Sequence, residues 1–103
     1  MKLVAVTACP TGIAHTYMAA EQLERQAKKM GFPIKVETQG AMGIENELSR
    51  DDIDEAAAVI FAAEIAVQKA ERFEGKKIFE FSVQETIKNA ERILLKVKEE
   101  IGG

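Results

Sequence analysis

The run KLVAVTA at positions 2–8 constrains the fold more than any other stretch. It is short, apolar and rich in β-branched side chains, which suits a strand buried on both faces of a parallel sheet. A sheet of that kind needs helices on both sides, so the run predicts an α/β architecture. Its length is far below the roughly 20 residues that cross a bilayer. Lys2 alone is too little basic charge for a signal peptide, and the apolar run soon breaks at Cys9-Pro10.

The remaining chain alternates strand and helix signals. From about His15 to Met30 the apolar positions Ala20, Leu23, Ala27 and Met30 recur at spacings of three and four, and Gly31 and Pro33 end the pattern. IKVETQ at 34–39 reads as a second strand, followed by the glycine-punctuated loop Gly40-Ala41-Met42-Gly43. Ser49 caps a short helix with an acidic first turn, and AAVIFAA at 57–63 is a third strand. A short helical piece is expected from about Ala66 to Arg72, and KKIFEF at 76–81 forms a fourth strand. Ser82 caps a final amphipathic helix with Val83, Ile87, Ala90, Ile93 or Leu94, Val97 and Ile101 on one side. Met18, Met30 and Phe61 fit core packing, and Met42 alone reads as an exposed contact. The expected fold is a four-stranded parallel sheet flanked by helices, in the order 2-1-3-4, with a phosphate-binding loop after the first strand.

A chain of 103 residues holds one domain, 1–103, around a single core. The 14 basic and 17 acidic side chains leave a net charge of −3, so no basic field attracts nucleic acid. The single cysteine makes no internal disulfide and fits a reducing cytoplasm. One histidine without clustered thiols offers no metal site, and no cofactor is expected.

Cys9 and His15, each the only residue of its type, share the turn between the first strand and the first helix. Pro10, Thr11, Gly12, Ile13, Ala14, His15 and Thr16 form a loop whose backbone N–H groups can converge on one anion at a helix start. The dipole of that helix favours a charged thiolate at Cys9, and a phosphoryl group on sulfur would lie among donors already in place. The spacing compares with the tyrosine-phosphatase loop, Cys-x5-Arg-Ser/Thr, but here it is Cys-x5-His-Thr. His15 stands where the bidentate arginine clamp would be, and no Asp-Pro pair supplies a general acid. That points to a protein that keeps its phosphoryl group and passes it on, with a small cysteine-dependent phosphatase of the tyrosine-phosphatase type as the alternative.

CPTGIAHTYMAAEQL, VETQGAMG, AAEIAV and RFEGKKIF together resemble the IIB component of the bacterial phosphoenolpyruvate-dependent sugar phosphotransferase system, in its fructose-specific family. The resemblance runs over nearly the whole chain. It departs at Ala62-Ala63-Glu64, where the family pattern is Ala-Ala-Asp. What it implies is a cytoplasmic phosphotransferase domain whose Cys9 accepts a phosphoryl group from a phosphohistidine on the IIA component. Cys9 then gives the group to a sugar, fructose by the resemblance, bound by the membrane IIC component. A carrier that docks two partners through one face works as a monomer, without inserting into the membrane itself.

Several residues keep two readings. His15 either orients the first helical turn or contacts phosphate, and Thr11 and Thr16 either cap the helix or donate hydroxyls. Gln39, Gly40, Met42 and Gly43 are either an ordinary glycine turn or a second wall and docking surface beside the cysteine. Access by two partners predicts an exposed, modestly apolar rim around Cys9, with Pro10, Ile13 and Met42 as candidates.

Overall fold

The computed structural model describes residues 2–9 and 13–102. Strand β1 (Leu3–Ala8) is fully buried at every residue, as its unbroken apolar run requires. It lies at the centre of the sheet, parallel to β2 (Ile34–Gly40) on one side and to β4 (Ala58–Ala63) on the other. The register aligns Ala8 with Gln39 and with Ala63, so the three strands end together. Strand β5 (Ile78–Phe81) extends the parallel sheet beyond β4.

The four parallel strands keep the expected order, but among the described residues the sheet has five strands, β3-β2-β1-β4-β5. The extra one, β3 (Gly43–Glu45), pairs antiparallel with β2 through Thr38 and Glu45, Gln39 and Ile44, and Gly40 and Gly43. The segment expected to be only a loop is therefore the tip of a hairpin. Gly43 takes φ 89°, a left-handed conformation that a side chain would strain. Three residues are too few for alternation to show in a sequence, and the pairing comes from the turn.

Helices α1 (Ile13–Met30) and α3 (Val83–Glu100) cover one face of the sheet. Leu3 and Ala5 of β1 and Ala58 and Ile60 of β4 pack there against Leu23, Ala27, Leu94 and Val97. Val4, Val6, Val59 and Phe61 point the other way, toward Ile53 of α2 (Arg50–Glu55) and Phe73 of a 3-10 turn, Ala70–Phe73. Phe61 and Phe73 meet edge to face at 5.3 Å. Both expected serine caps form: Ser49 Oγ accepts from Asp52 N at 3.0 Å in a full capping box, and Ser82 Oγ accepts from Glu85 N at 3.0 Å.

Three expectations are corrected. The helical piece at 66–72 shrinks to the 3-10 turn, because the Gln68 backbone is bonded to the Gln39 side chain and Lys69 takes φ 57°. Met18 is 47% exposed, since the buried stripe of α1 runs through Thr16, Ala19, Ala20, Leu23 and Ala27 instead. Helix α3 has non-helical angles at Asn89, φ −133° and ψ 39°, and both Ile93 and Leu94 reach the core, because they are neighbours on the one buried stripe that runs through Thr86, Ala90 and Val97.

Candidate functional site

Cys9 follows the last residue of β1, at the carboxyl end of the sheet, where α/β folds bind ligands. Its N–H donates to the Gln39 carbonyl at 3.2 Å, which extends the β1–β2 ladder by one step. Leu3, Ala5 and Thr7 face α1 and α3, and Cys9 continues that face, packing with Ala19 of α1, with Val83 and with Ile87. The residue is 5% exposed. Of the rim candidates, Met42 is exposed and Pro10 lies outside the described residues, while Cys9 itself is buried where Val83 and Ile87 of α3 pack against it.

Helix α1 begins at Ile13, four residues after Cys9, so its N-terminal amides follow closely on the strand end. Of the expected cradle, Pro10, Thr11 and Gly12 lie outside the described residues. Ala14 and His15 are exposed on the first turn of α1, and Thr16 is buried. The Thr7 hydroxyl donates to the Thr16 carbonyl at 3.1 Å, which ties the start of the helix to the strand that carries the cysteine.

The residues expected as a second wall divide. Met42 is 68% exposed at the hairpin tip, between Gly40 and Gly43. Gln39 is different: its side chain is 2% exposed and is spent on structure. Its amide oxygen accepts from Gln68 N at 2.8 Å, and its Nε2 donates to Gln68 O at 3.1 Å and to Glu37 Oε2 at 2.7 Å. Only the Gln39 backbone reaches the cysteine.

Beneath Gln39 lies a buried ion pair that sequence reasoning missed. Glu37 is fully buried in β2. Arg72 reaches it with Nη1 at 2.8 Å and Nη2 at 3.0 Å, and Leu48 N donates to it at 2.9 Å. Burial pushes the Glu37 carboxyl up, but the Arg72 guanidinium, the Gln39 amide and the Leu48 N–H outweigh it and hold the carboxyl below its usual range. A carboxylate in a central strand was the signal that a partner had to exist. Nothing local pointed to Arg72, 35 residues away.

A second carboxylate stands on the other side of the cysteine. Glu64 N donates to Ala8 O at 2.9 Å, and Glu64 Oε1 accepts from Val83 N, the first amide of α3, at 2.9 Å. A cleft of about 520 Å³ opens beyond it on Phe61, Ala63 and Val67, with Glu64 and Glu80 as its carboxylates. Two acids on an apolar floor do not suit a phosphate. Among the described residues no cluster of histidine, cysteine and carboxylates could hold a metal ion.

The family model described as "PTS system, Lactose/Cellobiose specific IIB subunit", PTS being the phosphotransferase system, matches residues 4–96. The chain belongs to the IIB components of the phosphotransferase system. It is 48% identical over 97 residues to the "PTS system fructose-like EIIB component 2" of Escherichia coli K12, covering 94% of this chain and 92% of that one. The corresponding component 1 of the same strain is 45% identical over 100 residues, covering 97% of this chain and 93% of the other. In structure, this IIB chain is similar to a IIB subunit from Escherichia coli K12, with TM-score 0.92 and 44% identity over 98% of this chain and 94% of that one. A domain of a fructose-specific IIABC component from Borrelia burgdorferi gives 0.88 at 48% identity, over 92% and 90%. An arginine phosphatase shares the fold alone, at TM-score 0.53 and 15% identity over 99% and 96%. Among the described residues of this IIB chain, no helix is long and apolar enough to cross a membrane.

Proposed function

We propose that this IIB domain is a phosphocysteine carrier in sugar uptake. Cys9 accepts a phosphoryl group from a phosphohistidine on a IIA component and passes it to a sugar held by a membrane IIC component. Fructose is the sugar favoured by the names of the relatives. The observation that carries the reading is the position of the single cysteine, between the end of the central strand and the first amides of α1. Phosphoryl transfer asks mainly for positioning and for donors to the equatorial oxygens, and a strand-to-helix turn supplies both. Pro10, Thr11, Gly12, Ile13, Ala14, His15 and Thr16 form the phosphate-binding loop, and Gly40, Met42 and Gly43 belong to the docking rim.

The 5% exposure of Cys9 adds a requirement. An in-line attack on a donor needs an open path to Sγ, so docking must shift the cover that Val83 and Ile87 provide. The site opens toward cytoplasmic partners, one at a time, and the domain acts as a monomer. The phosphatase reading is the weaker one, because His15 replaces the arginine clamp and no Asp-Pro acid is present. The shared fold with an arginine phosphatase carries no activity across.

The test is phosphate transfer from a phosphorylated IIA domain of the fructose family, followed by identification of the modified residue. Cys9→Ala should fold and take no label, while the parent protein is labelled on sulfur. Label persisting in the Ala variant places the acceptor elsewhere, and turnover of an aryl phosphate by the chain alone restores the phosphatase reading.

A further inference from the structure

The register of β1 and β4 puts a carboxylate side chain, Glu64, beside the cysteine. Ala8 is aligned with Ala63, and Glu64 N donates to Ala8 O, so Cys9 and Glu64 are the next pair of neighbours beyond the registered strands. Both continue the face that looks toward α1 and α3: Cys9 packs on Val83, and the Glu64 carboxylate accepts the Val83 N–H at 2.9 Å. Neighbouring strands lie about 4.8 Å apart. On the other side, Cys9 follows the pair Ala8 and Gln39, so its neighbour there is Gly40, which has no side chain. Glu64 is thus the side chain that flanks the cysteine across the sheet.

We propose that Glu64 sets the transfer potential of the phosphocysteine, a role that rests on the carrier reading above. In the loading step the thiolate pair forms the S–P bond as the N–P bond of a phosphohistidine breaks, and its electrons return to the imidazole. In the unloading step a sugar hydroxyl forms the O–P bond, the S–P pair returns to sulfur, and the hydroxyl proton leaves to solvent. Between the steps the phosphoryl group adds about two negative charges next to Glu64. The carboxylate is anchored by the first amide of α3, so it stays close and opposes that charge. Repulsion makes phosphocysteine a readier donor and shifts loading toward the unphosphorylated thiol. Charges this close, with the near-water screening of an exposed carboxylate, correspond to about a tenfold change in equilibrium.

The experiment measures the phosphoryl exchange equilibrium between a phosphorylated IIA domain of the fructose family and the parent protein, Glu64→Gln and Glu64→Ala. Glu64→Gln keeps an oxygen for the Val83 N–H and removes only the charge. It should raise the equilibrium fraction of phosphocysteine by about tenfold in the constant, with a difference that shrinks as salt is added. Equal constants for Glu64→Gln and the parent overturn the proposal, as does a shift confined to Glu64→Ala, which would make the helix cap responsible instead. If Cys9 takes no phosphoryl group in any of the three, the carrier reading fails and this one with it.

Discussion

Arg72 is the residue on which the carboxyl end of the sheet depends. Its two bonds to Glu37 cancel a charge that is fully buried, and its Nε and Nη2 also bind the Lys69 and Gln68 carbonyls at 2.8 and 3.2 Å. Arg72→Met should therefore destabilise the protein by about 3–5 kcal/mol, the usual cost of leaving a buried charge unpaired. Urea denaturation checks it, and adding Glu37→Leu should recover most of the loss. A double variant no more stable than Arg72→Met would show that the guanidinium acts through the loop carbonyls instead. Gln39 belongs to the same group. The sequence placed it at the end of the second strand, beside the cysteine loop, and the structure keeps it there; its side chain, however, turns away from Cys9 to hold Gln68.

At the scale of elements, the hairpin and the caps carry the testable content. Gly43 closes the β2–β3 turn at φ 89° with open space around it, so Gly43→Ala meets backbone strain and no collision. The expected cost is about 1 kcal/mol in the urea midpoint, with faster amide exchange confined to the hairpin. Ser82→Ala removes the oxygen that accepts from Glu85 N and should also cost about 1 kcal/mol. Because Val83 covers Cys9, that variant should in addition react faster with a thiol reagent. Unchanged reactivity would show that the start of α3 does not control access. Both serine caps were legible in the sequence, since a cap is read within one turn of its own helix. The hairpin was not, because a three-residue strand exists only through its partner.

For the whole molecule the buried pair predicts an acid limit. The Glu37 carboxyl is held below its usual range in the fold, so the unfolded chain binds its proton more readily as pH falls. The stability that this adds is present above the unfolded value, about 4.3, and is lost as pH drops through the lower folded value. Urea midpoints measured from pH 7 to pH 3 should fall more steeply for the parent than for a Glu37→Leu/Arg72→Met double variant. Parallel profiles would assign the acid loss to other carboxylates. Asp52 contributes in the same direction from the surface, where Lys35 and the Ser49 cap hold its carboxyl well below the usual carboxylate range.

Local signals in the chain were enough for the alternation of strands and helices and for the place of Cys9 at a strand end. Those signals are apolar runs, three-four spacing, and glycine, proline and serine at element boundaries. The meeting of Glu37 with Arg72, the packing of α3 on Cys9 and the place of Glu64 beside it come from the folded arrangement alone. Each joins residues distant in the chain, and their meeting depends on strand register and helix docking, which no local pattern encodes.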